Sequence, residues 1–447
     1  MKRRLVLNTI LLTGSSILMR CIGMAFQAWL VGRIGAAGIG LYQLVMSVEL
    51  LCITFAVSGI RFAVTRLVSE EIGLGRPGGV GGAMARSAAY SLFFGCAAMT
   101  MLFLFSESIG FLWIGDARTV LSLRILSVGL PFISMSSVFS GYFTACGRVW
   151  KPALVHLIEQ LIYVGLVALL LIRAPVGDIE KSCAAITTGA TISDILSFVL
   201  MLGAYVSDRR RHSTEGERVP RLTARMLTVA LPLAMSAYAR SALSTLEHLL
   251  VPRGLKKAGF SADSSLAGYG VIQGMAMPVI AFPASLLLAL AELIVPELTE
   301  AQVRGDRARI SRIVSSLLEK TLLFSTAVAV LLFVFSDRLG NAIYRSDEAG
   351  RYIRLLAPLI PLIYVDLVTD GCLKGLGQQM WNMWINILDA LCGVLLVYTL
   401  LPTYALTAYI CIIYFNELLN FTLSFSRLLK VAKIRLFRYS PFSHPSA

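Results

Sequence analysis

Apolar residues run along this chain in long blocks separated by short polar intervals, and the blocks have the length of membrane-crossing helices. At ~1.5 Å rise per residue, roughly 20 apolar residues cross a hydrocarbon core about 30 Å thick. Blocks of this kind fall near residues 7–31, 40–60, 83–106, 120–145, 152–172, 183–206, 226–250, 266–291, 312–336, 352–373, 382–401 and 404–426. The pattern predicts an all-α polytopic membrane protein with twelve spans.

Polar positions inside these blocks repeat. Arg20, Gln27 and Arg33 match Arg240, Glu247 and Arg253 at an offset of 220. Gly40, Tyr42 and Glu70 then match Ala267, Tyr269 and Glu297 at 227, which places a seven-residue insertion after the seventh span. Arg124, Pro131, Gly141 and Gly147 match Arg354, Pro361, Gly371 and Gly377 at 230, where Glu159 meets Asp389. Asp194 and Ser197 match Glu417 and Asn420 at 223. Ordered blocks of this kind indicate a duplicated chain. An N-terminal six-helix bundle is expected over residues 1–206, a linker over 207–225, a second bundle over 226–426 and a basic tail over 427–447. Six spans per half keep both halves the same way up, so the repeat axis runs along the membrane normal.

Composition agrees with this picture: 57% of the 447 residues are hydrophobic, 15% are charged, and mean hydropathy is +0.75. Soluble catalysis is thereby disfavoured, and no nucleophile, base and metal constellation appears, so no enzyme activity is expected. Met1-Lys2-Arg3-Arg4 before an apolar run resembles a signal peptide, but the run is long and lacks a small-residue cleavage site, which reads as a retained anchor. Net charge is +14. Segments predicted inside hold 25 of the 40 Lys and Arg, outside segments hold 12, and Arg20, Arg240 and Lys320 lie within helices. This bias puts both termini in the cytoplasm of a multi-pass cell-membrane protein, although Val251–Ser265 carries Arg253, Lys256 and Lys257 outside. Anionic lipid headgroups suffice as partners for such a charge, and no nucleic acid is implied. The eight cysteines contain no CxxC pair, so neither zinc nor a disulfide framework is indicated.

Several motifs carry less than they first suggest. Gly75–Gly82 is glycine-rich but lacks the Lys-Ser/Thr ending of a phosphate loop and reads as a flexible turn. His156 and Glu159, three apart, have metal-ligand spacing, but the second half offers Asn386 and Asp389 there, which favours a hydrogen-bonded helix contact. His248 reads as a locally satisfied residue near the outer interface. The acids Glu49, Asp194, Asp366, Asp370, Glu292 and Glu417 read first as polar links between helices, with Glu49, Asp194, Asp366 and Glu417 as possible cavity or coupling groups for Na+ or H+. No bound metal or cofactor is otherwise expected.

Arg20 and Arg240 weigh more. A charge near mid-membrane is costly and marks function, and seven residues bring Gln27 onto the face of Arg20 and Glu247 onto that of Arg240. A structural Arg240–Glu247 pair is one reading. The other is a cavity between bundles in which two guanidiniums fork around a phosphate.

Met19-Arg20-Cys21-Ile22-Gly23, the run from Gly141 to Arg148, His156–Gln160, and Tyr269-Gly270 through Val295-Pro296-Glu297 resemble the stage V sporulation protein B family, part of the multidrug/oligosaccharidyl-lipid/polysaccharide export superfamily. The resemblance covers nearly the whole chain and implies a MATE-like pair of six-helix bundles around a central cavity, moving lipid-linked glycans as related lipid II flippases do. Two departures stand out. Close relatives usually continue for two more helices, where this chain has Arg427–Ala447, and the lipid II flippases carry further charge where Phe26 and Gln27 stand here.

The sequence thus predicts a monomeric flippase for an undecaprenyl-diphosphate-linked saccharide or similar anionic amphiphile in cell-wall, spore or polysaccharide synthesis. Arg20 and Arg240 would hold the diphosphate, and Gln27 and Glu247 would bind sugar or release the anion. A Na+- or H+-driven organic-cation exporter on the same scaffold is the alternative, and would need unpaired acid in its cavity. A membrane scaffold for envelope assembly, without transport, is a third.

Overall fold

The protein is described by a computed structural model over residues 2–74, 77–173, 177–210 and 222–432. Among the described residues there is no strand, and ten helical stretches are long and apolar enough to cross a membrane. Two of them are too long for one crossing: at ~1.5 Å per residue, Lys2–Val57 and Gln379–Ala432 would each reach roughly 80 Å if straight. Each holds one residue with non-helical geometry, Gly35 (φ 70°, ψ 179°) and Ala405 (φ 51°, ψ −136°).

Contacts show that the chain turns back at both. Gln27 and Ile39 meet the same residue, Gly274, the first by a hydrogen bond and the second by van der Waals contact. Gly393 and Asn416 also touch, although a straight helix would hold them about 35 Å apart. Counting two crossings in each gives, among the described residues, a set consistent with the expected twelve: α1 (residues 2–34), α2 (36–57, continued after a break by Ile60–Gly73), α3 (Pro77–Ser108), α4 (Val120–Ala145), α5 (Trp150–Arg173), α6 (Ile179–Arg210), α7 (Leu222–Lys257), α8 (Ala262–Tyr269, a π-helical turn, then Met277–Val303), α9 (Arg307–Leu339), α10 (Asp347–Leu356 and Ile360–Gly375), α11 (379–404) and α12 (406–432).

The repeat is written in hydrogen bonds. Arg124 donates to Ser106 (3.1 Å) and Glu107 (2.7 Å), and Arg354, 230 residues on, donates to Ser336 (3.0 Å) and Asp337. Both α4 and α10 end in the same reversal, with left-handed Gly147 and Gly377 and a closing bond of 2.8 Å from Arg148 to the Phe143 carbonyl and from Gln378 to that of Leu373. Glycine there relieves the steric cost of positive φ.

Several boundaries differ from expectation. α7 runs on to Lys257, three residues past the counterpart of the α1 end, and residues 258–261 connect it to α8 where α1 and α2 have Gly35 alone, so the predicted seven-residue insertion is shared between helix end and loop, and Arg253, Lys256 and Lys257 sit on a helix end. α3 starts at Pro77, a residue suited to a first helical turn, so most of the predicted glycine-rich turn is helix; Gly75 and Arg76 lie outside the described residues. The expected linker begins within α6, which reaches Arg210, and ends within α7, with 211–221 outside the described residues. Of the expected basic tail, residues through Ala432 continue α12 and the rest lie outside the described residues.

The outward face is apolar, with Phe93, Leu104, Phe111, Leu323, Trp384 and Tyr404 well exposed, as lipid contact requires. Two cores lie inside. The larger joins both bundles, from Leu30, Leu41 and Leu44 to Leu249, Tyr269 and Ile280. The smaller, with Val64, Phe143, Met226 and Ala230, fixes the linker end of α7 against the N-terminal bundle.

Candidate functional site

A cavity of about 480 Å3 opens between the bundles, walled by α2, α7 and α8. Its residues follow helical periodicity. Gln43, Met46, Ser47, Leu50 and Thr54 form a stripe on α2, and Ala237, Arg240, Ser241, Ser244, Thr245 and His248 form one on α7. Tyr269 and Gln273 close it from α8. The stripes are held in register by hydroxyls: Thr245 donates to the Ser47 carbonyl (2.9 Å), and Thr54 to Ser241 (3.3 Å). Toward the linker the contact continues through Ser58 and Tyr238, then Arg225, which reaches both Glu70 and the buried Glu71 (3.0 Å).

Among the described residues Arg240 is the one fixed cation in the lining, and no carboxylate lines the cavity with it. It makes no hydrogen bond or ion pair among the described residues, although Asp370 lies within its electrostatic reach. Such a guanidinium leaves five N–H donors for a ligand. The other predicted site residues are dispersed. Arg20 is exposed and not part of this lining. Gln27 spends its amide on the Gly274 carbonyl (3.0 Å), between the bundles. Glu247 turns into the C-terminal bundle, where Asn416 donates to it at 3.4 Å and Asp389 is near. The reason is angular: a seven-residue step falls about 20° short of two turns. Arg240 already sits at the edge of the α7 stripe, so Glu247 lies past it.

The possible coupling acids gather inside the bundles and are not among the residues that line the cavity. Glu49 and Glu159 surround Asp194 in the first, and Asp366, Asp370 and Asp389 surround Glu417 in the second. Glu159 accepts from Ser197 (2.6 Å) and lies 3.2 Å from His156, the helix contact their spacing suggested. With Arg61, Asp194 and Ser140 these line a second, small cavity of about 110 Å3. His248 does find a local partner, the Tyr269 hydroxyl at 3.1 Å, but it faces the main cavity. Gln43, Ser47, Thr54, Tyr269 and Gln273 are lining residues that sequence reasoning missed. Their signal was present as polar residues at helical spacing in apolar spans.

At the end away from the linker the halves are tied again. Arg118 bridges Asp116 (2.7 Å) and Asp263 (2.8 Å), and Lys256 donates to the Gly115 carbonyl (3.0 Å). Burial pushes the Asp116 carboxyl up, but hydrogen bonds from the Arg118 side chain and backbone outweigh it and hold the group below its ordinary range. Gly40 and Gly270 let α2 and α8 cross nearby in backbone contact: a Cβ on Gly40 would stand 2.0 Å from the Leu266 carbonyl oxygen.

Two six-helix bundles around a central cavity, in a multi-pass chain with a lipid-facing exterior, define a membrane transporter of the flippase and exporter class. Residues 5–302 match the sequence profile of the polysaccharide biosynthesis protein family, and the chain belongs to it; residues 258–399 also match the MatE family. Among curated proteins it is 23% identical over 396 residues to stage V sporulation protein B of Bacillus subtilis (strain 168), covering 87% of this chain and 76% of that one. Among solved structures it resembles the lipid II flippase MurJ in its inward closed conformation, with TM-score 0.73, 14% identity and 95% and 90% of the two chains covered. It also resembles an inward-facing multidrug resistance MATE family transporter, with TM-score 0.70, 14% identity and 95% and 99% covered. The superfamily and fold expected from the sequence are thus confirmed.

Proposed function

We propose that this protein flips a lipid-linked saccharide of the undecaprenyl-diphosphate type across the cell membrane, with both termini and the linker cytoplasmic and the monomer as the working unit. The observation that carries the reading is the cavity lining, in which Arg240 makes no ion pair among the described residues and no carboxylate lines the cavity beside it. An organic cation would meet repulsion there, whereas a diphosphate gains charge-assisted hydrogen bonds. Arg20, exposed on α1 and without an ion pair among the described residues, supplies a second cation as the bundles rock. The excess of basic residues in alternate segments supports the orientation. Coupling to Na+ or H+ falls to the acids inside the bundles, Glu49 and Asp194 in one and Asp366 and Glu417 in the other.

A leaflet-exposure assay in liposomes with a fluorescent undecaprenyl-diphosphate-linked saccharide tests this. Arg240→Ala should slow flipping roughly 10- to 100-fold, the worth of a hydrogen bond to a charged group, and Arg240→Lys should restore little because ammonium lacks the guanidinium fork. Wild-type rates in well-inserted Arg240→Ala protein would overturn the anionic-substrate reading.

A further inference from the structure

The cavity has two chemically distinct ends. Near the linker it offers Arg240, Ser241 and Thr54; eight residues further along α7, about 12 Å away, it offers His248, with Tyr269, Gln273 and Gln43 around it. That far end is uncharged in its amides and rich in unused hydrogen-bonding atoms. Gln43 lines the cavity and makes no hydrogen bond among the described residues, so its carboxamide is available. Gln273 commits its Nε2 to the Tyr409 hydroxyl (2.6 Å), which fixes the side chain and leaves Oε1 without a partner among the described residues. His248 commits Nδ1 to the Tyr269 hydroxyl (3.1 Å), which orients the ring and leaves Nε2 without one. Tyr269 itself is buried and packs edge-on to the imidazole.

We infer that this far end, formed by Gln43, His248, Tyr269 and Gln273, is the subsite for the uncharged, hydroxyl-bearing saccharide portion of the transported molecule, and that it sets specificity for the glycan. The inference rests on the reading that Arg240 takes the diphosphate. Carboxamides and an imidazole held by second bonds present donors and acceptors in fixed directions, which suits hydroxyl groups and gives an acyl or prenyl chain nothing to gain. A site built to hydrogen-bond hydroxyls discriminates against ligands that lack them, because its polar groups are then left unpaired. The spacing along α7 orders the ligand: phosphate toward the linker, saccharide toward the opposite face.

Binding to purified full-length protein in nanodiscs separates the two ideas, using undecaprenyl diphosphate with and without an attached disaccharide. Wild-type protein should prefer the sugar-bearing lipid at least tenfold. Gln43→Ala, which breaks no bond within the protein, should lower that preference roughly 2- to 10-fold and leave binding of the sugar-free lipid unchanged. His248→Asn keeps a polar atom near the Nδ1 position, removes Nε2, and should do the same. Arg240→Ala should weaken both lipids alike. No sugar preference in the wild type, or an undiminished preference in both Gln43→Ala and His248→Asn, overturns the subsite. Arg240→Ala binding both lipids like wild type overturns the diphosphate reading instead, while the sugar preference still reports on the far end.

Discussion

The bundles meet along two seams that the repeat makes equivalent, α2 with α7 and α8 with α1, and the two are built differently. On the first, Thr245, Ser241, Tyr238 and Arg225 bond to Ser47, Thr54, Ser58 and the Glu70–Glu71 pair. The positions 220 residues earlier on α1 are Ala25, Cys21, Leu18 and Leu5, and those 227 residues later on α8 are Gly274, Ala281, Ser285 and Glu297–Leu298. Thr245, Thr54, Tyr238 and Arg225 are thus replaced by Ala25, Ala281, Leu18 and Leu5, and of the ladder's hydroxyls Ser58 alone is kept, as Ser285. Among the described residues one polar link between α1 and α8 remains, from Gln27 to the carbonyl of Gly274, the counterpart of Ser47. Duplication thus supplied one geometry, and later substitution made one seam bonded and the other greasy. A transporter that must part its bundles can do so with less loss along the second.

The comparison is most exposed to failure at Arg225. Arg225→Ala leaves Glu71, which has no exposed surface, without its cation. The loss should be about 2–3 kcal/mol of unfolding free energy in detergent, toward the low end of buried pairs because Arg225 itself reaches water. Gln27→Ala on the other seam should cost only about 1 kcal/mol, one neutral hydrogen bond. Equal losses would erase the distinction between seams.

A smaller effect concerns the tie opposite the linker. Because the Asp116 carboxyl is held below its ordinary range, its contribution is present above the unfolded value of about 3.9 and is lost as pH falls through the lower folded value. Stability there should therefore rise with pH across the acid range, and hydrogen exchange of residues 110–119 should show it. Asp116→Asn should flatten that dependence.

The smallest compares the halves directly. Left-handed Gly115 follows α3, and its counterpart after α9 is Arg345 at φ 53°. Arg345→Gly should gain roughly 0.5 kcal/mol, the relief of left-handed strain less the greater freedom of unfolded glycine, with thermal unfolding as the measurement. A loss would mean that the Arg345 side chain has a role that its backbone strain supports.

The fold was legible because membrane spans are long and a duplication leaves ordered matches: Arg124 and Arg354 make the same bonds that their alignment implied. The hairpins were legible as breaks in the apolar pattern, between 31 and 40 and between 401 and 404, but the residues that turn were not equally so: Gly35 could have marked one reversal, whereas Ala405 gives no such signal, since a residue with a Cβ is a poor candidate for positive φ. In the site, Arg240 stood out by its cost in the membrane. Gln43, Ser47 and Thr54 did not, because uncharged polar residues in apolar helices are common as interhelical links, and which face they occupy depends on how α2 is turned against α7. Glu247 shows the limit of periodicity: a small angular step separates the cavity face from the bundle interior.

The crossing of Gly40 over Gly270 has a consequence for how the molecule is made. Neither glycine has a side chain with which to seek a partner, and a Cβ on Gly270 would lie 2.2 Å from the Ala36 carbonyl oxygen, so the notch accepts only one complementary backbone. The two surfaces lie half a chain apart, and synthesis delivers α2 long before α8. The N-terminal bundle is therefore made before the backbone that fits its notch exists, and docking of the halves can close only after α8 has been inserted.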